Sequence, residues 1–163
     1  MPMSQPTPLQ RPLADGQSPL QSLWLAWFLC LLFHTDLGLM PLFHGLSPEI
    51  ASQVPAQRLP LVFWAMLLYF LLPLLAWLLN SYAVSAAAAG WASEAGAAAR
   101  GWWRRWRWCQ LGLSLLYTLT NFAHLLVDVL IPDSRSDQVL LMAVMVVLGL
   151  LINRESWRWC RSR

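Results

Sequence analysis

The sequence predicts an all-α integral membrane protein, a bundle of four helices that each cross a bilayer. Hydrophobic residues make up 58% of the 163 residues and charged residues only 12%, about half of the roughly 25% charged fraction of soluble domains. Four apolar stretches follow one another along the chain, at 22–42, 59–80, 109–131 and 138–157. A helix needs about 20 residues to cross the hydrocarbon core. Residues 22–157 therefore form the predicted four-span domain.

The first apolar stretch is the weakest of the four, because His34 and Asp36 interrupt it. An alternative is that residues 1–33 are a signal peptide with a basic start. No small-residue cleavage site closely follows this segment, and the apolar character resumes at Leu37. We therefore expect a transmembrane span at 22–42.

The segments outside the spans differ in composition. Residues 1–21 are rich in Pro and Gln without apolar periodicity, which predicts a disordered N-terminal tail. The inner loop at 81–108 begins with an alanine-rich part that favours helix. Residues 158–163 form a short basic C-terminal tail.

The cations are all arginine, and their positions predict the orientation. Nine of the 11 precede span 1, lie between spans 2 and 3, or lie in or beyond the last turn of span 4, and only Arg58 and Arg135 lie in the other two loops. Loops rich in Arg stay on the cytoplasmic side. We therefore expect both termini inside, in a bacterial plasma membrane or an internal energy-transducing membrane. Because the charge lies at membrane edges, we expect no nucleic-acid partner.

An alternation of Trp and Arg, GWWRRWRW at 101–108, precedes span 3. Indole rings favour the headgroup level and guanidinium groups favour lipid phosphate. This predicts a short amphipathic element on the inner membrane surface, and the alternative is a docking site for an acidic partner. The predicted interface residues are Trp102, Trp103, Arg104, Arg105, Trp106, Arg107 and Trp108.

Span 3 carries polar residues at helical spacing. Positions 114, 117, 121, 124 and 128 are separated by 3, 4, 3 and 4 residues, so they form one stripe on a helix. Polar groups at membrane depth face protein or water rather than lipid. We therefore expect the stripe to face the bundle centre, with these members: Ser114, Tyr117, Asn121, His124 and Asp128.

Span 1 offers a matching face with Cys30, His34 and Gly38 at i, i+4 and i+8. We expect His34 to face His124 at similar depth, and Gly38 to allow close approach of a neighbouring helix. In span 2, Pro73 predicts a kink, tolerated if a neighbour satisfies the carbonyl that the proline frees.

Three interpretations of the polar residues stay open. In the first, His124 pairs with Asp128 and His34 bonds a neighbouring helix, which holds the helices in register. In the second, His34 and His124 ligate a b-type haem, or His34, His44, His124 and Asp128 hold a divalent metal. In the third, the histidines and Asp128 belong to a proton or quinone path.

The sequence favours a non-enzymatic role. It contains no G-x-S-x-G, H-E-x-x-H or glycine-rich phosphate loop, and its three cysteines form no C-x-x-C motif. A chain with four spans and few residues outside the membrane can contact other proteins mainly through its membrane-spanning helices. We therefore expect an accessory subunit or assembly factor that contacts the lipid bilayer and either a membrane-protein partner or further copies of itself. The alternative is a haem- or metal-binding redox protein.

Overall fold

A computed structural model describes residues 11–45, 55–88, 97–130 and 134–161. These contain four long helices and a short 3₁₀ turn, Ala56–Arg58, and no strand. The helices are α1 (Arg11–Phe43), α2 (Leu59–Ala88), α3 (Ala97–Leu130) and α4 (Ser136–Arg161). Each contains an apolar window long enough to span a membrane. This confirms the predicted all-α four-helix bundle of a multi-pass membrane protein.

Helix α1 begins before the expected start of span 1. The helix includes residues 11–21, which the sequence analysis assigned to a disordered tail, whereas residues 1–10 lie outside the described residues. Burial of Leu20 explains part of the extension, because this side chain is fully enclosed in the same core cluster as Trp24. At the other end, Gly45 has φ 70°. The amide nitrogens of His44 and Gly45 bond the carbonyls of Pro41 and Leu42, which caps the helix as a left-handed glycine commonly does.

The inner loop expected at 81–108 is largely helical. Helix α2 continues to Ala88 and α3 starts at Ala97, in keeping with the high helix propensity of alanine. The Trp/Arg segment at 101–108 is thus the beginning of α3, continuous with span 3, rather than a separate surface element. Helix α4 likewise continues to Arg161, so most of the predicted basic tail is its last turn. There Arg158 and Arg161 suit the negative end of the helix dipole.

The Trp/Arg segment and the end of α4 lie side by side. The rings of Trp108 and Trp157 meet edge to face with centroids 6.2 Å apart, and Arg107 lies over the ring of Trp159 at 5.5 Å. We call this the Trp/Arg end of the bundle, formed by residues 101–108 and 154–161. The other end, which holds His34 and His124, is called the His end.

The helices pack in the order α2, α1, α4, α3, each against the next. The core between α1, α3 and α4 is built on large side chains: Trp24 and Trp27 of α1 both meet the ring of Tyr117 edge to face, at 6.2 and 5.2 Å between centroids. Helices α1 and α3 thus meet across the bundle through aromatic rings. Helix α2 meets α3 mainly through hydrogen bonds, which include that from the Trp106 indole to Asn80 at 2.9 Å.

A tyrosine satisfies the carbonyl that Pro73 frees inside α2. Proline has no N–H, so the carbonyl of the residue four positions earlier loses its helical donor. That residue is Tyr69, and its carbonyl accepts a 2.7 Å hydrogen bond from the Tyr117 hydroxyl of α3. Pro73 itself is buried. Tyr117, the central residue of the polar stripe, is therefore the neighbour that satisfies the freed carbonyl.

The same arrangement recurs at Pro41 in α1. The carbonyl four residues earlier belongs to Leu37, and it accepts a 3.2 Å hydrogen bond from the Arg135 guanidinium, just before α4. Arg135 also binds the carboxylate of Asp137 through Nε at 3.1 Å. Arg135, one of the two arginines on the arginine-poor side of the predicted topology, thus joins α1 to the start of α4.

Among the described glycines, Gly149 lies closest to a side chain of a neighbouring helix, at the crossing of α3 and α4. A Cβ atom added there would lie 2.5 Å from the hydroxyl oxygen of Thr118. Thr118 also accepts a 3.0 Å hydrogen bond from Asn153 of α4. At Gly38, where the sequence predicted a close approach, an added Cβ would meet Gln138 at an ordinary 3.6 Å. The tight crossing is therefore at Gly149.

The arginine asymmetry gives a topology prediction. Four crossings place both ends of the chain on one side, and the Trp/Arg end carries most of the cations, so we expect it to face the cytoplasm. A reporter fused after residue 163 should give the cytoplasmic signal, and one inserted after Gly45 should give the opposite signal. Removal of Arg58 is the control, which should leave both signals unchanged. An external reporter at residue 163 would contradict the topology.

Candidate functional site

The polar stripe of α3 faces the bundle as its spacing predicts. Ser114, Tyr117, Asn121 and Asp128 are buried. His124 differs, because 53% of its side chain is exposed. The stripe therefore turns toward the other helices along most of its length and comes to the edge of the packed core at His124.

His34 and His124 meet at the His end, as the sequence predicts. Their ring centroids are 5.3 Å apart with the ring planes at 87°. One turn further along α3, Asp128 lies beside His124, with 3.5 Å between carboxylate Oδ1 and imidazole Nε2. The three side chains offer ligand atoms that all lie within 4.8 Å of one another. The structure thus brings together three of the four residues predicted as metal ligands.

Two atoms of this cluster are buried without a hydrogen-bond partner among the described residues. They are Nδ1 of His34 and Oδ2 of Asp128. Buried polar atoms normally have partners, and an unpaired one indicates strain, function or an absent ion or water. Both atoms belong to groups that bind divalent metals. We call His34, His124 and Asp128 the His/Asp cluster.

The geometry of the cluster fits a small ion better than a haem. Axial imidazoles of a b-type haem lie on opposite faces of a flat macrocycle, whereas the two rings here contact each other edge to face. Ligand atoms around zinc lie ~3.3 Å apart, because Zn–N and Zn–O bonds are about 2.0–2.2 Å. The ligand atoms here lie within 4.8 Å of one another, so binding an ion would require the three neighbouring side chains to move closer together.

His44, the fourth predicted metal ligand, is not part of the cluster. It lies beyond the end of α1 in the capping turn and is exposed. The described residues therefore supply three protein ligands, two imidazoles and one carboxylate. Three ligands with an open fourth position are typical of zinc sites that exchange or act on a further ligand, whereas closed structural sites have four.

A cavity of about 630 Å³ opens beside the cluster and is lined by all four helices. His34 and His124 form part of its wall. Most of the other lining side chains are apolar, and the polar exceptions include Tyr69 and Asn121. The size falls within the roughly 300–1,000 Å³ of small-molecule pockets. Sequence reasoning did not predict this cavity, because it depends on how α2 stands relative to α3.

A hydrogen-bonded pair fixes the polar wall of the cavity. The Tyr69 hydroxyl of α2 donates to the amide oxygen of Asn121 at 3.1 Å and lies 3.2 Å from the hydroxyl of Thr120. Asn121 is only 2% exposed. Its amide nitrogen, Nδ2, is buried and has no hydrogen-bond partner within the described part of the chain. Asn121 thus lines the cavity and carries a buried amide nitrogen that no described residue pairs.

The Trp/Arg residues divide between two surroundings. Trp102, Arg104, Arg105 and Trp108 are exposed at the beginning of α3, where an interface role requires them. Trp103, Trp106 and Arg107 are half-buried. Trp106 bonds Asn80 of α2, and the Arg107 guanidinium donates to the carbonyl of Trp159 in α4 at 3.3 Å. Part of this segment therefore joins helices.

A second group of buried polar side chains lies toward the Trp/Arg end, and sequence reasoning missed it. Gln110 is fully buried, as are Asn80 of α2 and Ser156 of α4. The sequence contained a signal for the first of these, since Gln110 precedes Ser114 by four residues and extends the stripe. The other two appear isolated in their spans, and Asn80 is paired only when the helices pack, by the Trp106 indole.

No protein-family model matches the chain, and the comparisons with curated proteins and with solved structures found no match.

Proposed function

We propose that this multi-pass membrane protein binds a divalent transition-metal ion at His34, His124 and Asp128. One observation carries the proposal: ligand atoms from two helices lie within 4.8 Å of one another at the wall of a cavity. Imidazole and carboxylate together suit ions such as Zn²⁺. The unpaired His34 Nδ1 and Asp128 Oδ2 support it, because an ion would give these buried atoms a partner.

The open position gives the site its chemical character. Three protein ligands leave room for a water molecule or another small ligand on the metal. Such an ion acts as a Lewis acid on whatever occupies that position. The proposal places this centre in a bacterial plasma membrane or an internal energy-transducing membrane, in keeping with the arginine asymmetry.

Metal content tests the proposal directly. We expect the full chain, purified in mild detergent and dialysed with Zn²⁺, to retain about one ion per chain. His34→Gln, His124→Gln and Asp128→Asn should each lose most of it, because none of the new side chains replaces the ligand. The measurement is elemental analysis of the protein peak after gel filtration.

A matched control comes from the third histidine. His44→Gln changes the same residue type outside the cluster and should leave the metal content unchanged. A structural role for the pair would give a different pattern: no ion bound, His124→Gln tolerated, and His124→Leu destabilising through the loss of Asp128's partner. That pattern, or equal loss of metal in His44→Gln, would contradict the proposal.

A second candidate function is that of an accessory subunit or assembly factor, and it is compatible with a bound metal. It is supported by the distribution of the chain, since nearly all described residues belong to the four membrane-length helices. With so little polar surface, contact with other proteins would be made mainly within the membrane. Light scattering in mild detergent measures the mass of the particle. A larger complex or a homo-oligomer supports this role, and a monomer in native membrane extracts contradicts it.

A further inference from the structure

We propose that the cavity beside the His/Asp cluster binds the ring of a lipid-soluble quinone, with the Asn121 amide nitrogen donating a hydrogen bond to a quinone carbonyl oxygen. This site adjoins the proposed metal site, because His34 and His124 line the same cavity, but its recognising group, Asn121, does not belong to the His/Asp cluster. The inference rests on the charge, the polar groups and the position of the cavity.

The described wall of the cavity offers no acidic or basic side chain, apart from the two histidines, to pair with a charged organic ligand. Its described lining contains no Arg, Lys, Asp or Glu. Most of the lining is aliphatic, aromatic or thioether, as at Leu31, Phe70 and Met142. Burying a phosphate or carboxylate there without a cation would be costly. The occupant that this surface favours is therefore uncharged and largely apolar.

The amide nitrogen of Asn121 requires a hydrogen-bond acceptor on the ligand. Asn121 Nδ2 is buried and lacks a hydrogen-bond partner among the described residues, while the amide oxygen of the same side chain accepts from Tyr69. A carbonyl oxygen on the ligand would satisfy this donor. Leaving this buried donor unpaired carries a desolvation penalty that such a ligand would relieve.

The surrounding rings favour a flat occupant. Tyr69, Phe70, His34 and His124 all line the cavity, and aromatic faces and edges pack well against a planar ring. Met66, Met142 and Met145 line it as well, and their flexible thioether side chains adapt to irregular shapes. A planar ring that carries carbonyl oxygens and has no charge is the head of a quinone.

The position of the cavity gives a lipid-soluble molecule access. Its α2 wall includes Ala65 and Met66, which are exposed on a membrane-spanning segment. Helix α2 packs chiefly against α1 and reaches α3 through hydrogen bonds at Tyr69. A ring can thus lie between α2 and α3 while its apolar tail stays in the surrounding lipid.

Photolabelling of the full chain tests this proposal. The probe is an azido-quinone with a decyl tail, added to protein in nanodiscs, with and without EDTA. We expect the label on peptides of α2 and α3 that line the cavity, and at least tenfold less label when unlabelled decyl-quinone is in excess. An excess of uncharged diacylglycerol should not compete, although its esters also carry carbonyl oxygens.

Two variants and a matched control locate the site. Asn121→Leu removes the amide donor and should lower labelling at least tenfold. Ala65→Phe should do the same by filling the cavity, and it leaves the Tyr69 and Asn121 hydrogen bond untouched. Ala123→Phe places the same ring on the exposed side of α3, outside the cavity lining, and should label like the wild type.

Several results would overturn the proposal. They are competition by diacylglycerol, equal labelling of Ala65→Phe and Ala123→Phe, and labelling that depends on Zn²⁺. The last would make the metal, rather than Asn121, the recognising group. Labelling is expected to persist in EDTA and in Asp128→Asn, which removes a cluster ligand outside the cavity lining, so failure of the metal proposal leaves this result unaffected.

Discussion

Gly149→Ala is expected to lower the free energy of unfolding by about 1–3 kcal/mol, the usual cost of overpacking a close-packed core. The new Cβ would lie 2.5 Å from Thr118 Oγ1 and 3.2 Å from Thr118 Cβ, so α3 and α4 must move apart. That movement weakens the 3.0 Å hydrogen bond from Asn153 to Thr118 as well. Unfolding in mixed micelles with increasing dodecyl sulfate, followed by tryptophan fluorescence, measures the loss.

Gly112→Ala is the matched control. A Cβ at Gly112 meets nothing within 4 Å, and alanine favours helix over glycine by about 1 kcal/mol. The control should therefore be neutral or slightly stabilising, opposite in sign to Gly149→Ala. Thr118→Ala in the Gly149→Ala background should recover part of the stability, because it removes the nearest atom. Equal effects of the two glycine substitutions would show that the α3–α4 crossing is not tightly packed.

Tyr117→Phe is the second substitution with a large expected effect. It removes the hydroxyl that donates to the Tyr69 carbonyl at 2.7 Å while leaving the ring in edge-to-face contact with Trp24 and Trp27. An unpaired buried acceptor costs about 1–3 kcal/mol. We expect that range rather than the ~0.6 kcal/mol average of interhelical hydrogen bonds in membranes, because Pro73 denies this carbonyl its helical donor.

A double-mutant cycle with Pro73→Ala isolates this cause. Alanine restores the N–H four residues after Tyr69, so Tyr117→Phe should cost much less in the Pro73→Ala background. Tyr82→Phe is the control for loss of a tyrosine hydroxyl, since Tyr82 is 73% exposed, and we expect no change there. If Tyr117→Phe costs the same with and without Pro73, the hydroxyl does not stabilise the protein through the freed carbonyl.

The side of a helix that turns inward could be predicted from the periodicity of its polar residues. The 3-and-4 spacing of polar residues predicted which face of α3 turns inward, and Ser114, Tyr117 and Asn121 are buried as expected. The same reasoning paired His34 with His124, whose rings do meet. The first inference needs only the geometry of one helix and the cost of polar groups in lipid. The second also uses the depth of each histidine within its span.

Contacts that depend on how two helices pack side by side could not be predicted from the sequence. Gly149 stands among leucines and valines without a second small residue at the GxxxG spacing. Only the packed bundle places it against Thr118. Likewise, the position of Pro73 identifies the free carbonyl of Tyr69, but nothing in the sequence assigns the Tyr117 hydroxyl as the donor to that carbonyl. The same holds for Arg135 and the carbonyl that Pro41 frees. His124 was expected inside the bundle, and its exposure follows from the cavity that α2 leaves open.

The continuity of α3 from the Trp/Arg segment to Asp128 fixes how deep the His/Asp cluster lies. At 1.5 Å per residue, His124 lies about 27 Å along the helix axis from Trp106. The hydrocarbon core is roughly 30 Å thick, and tryptophan rings mark its boundary. With Trp106 at one boundary, the cluster lies just inside the other.

An ion bound at the proposed site from the side of the His end would therefore cross only a thin part of the bilayer's electric field. The work of moving a charge across a full membrane potential is about 2.3 kcal/mol per 100 mV. Occupancy of the cluster from that side should consequently be nearly independent of voltage. An ion arriving from the Trp/Arg side would have to cross almost the whole potential.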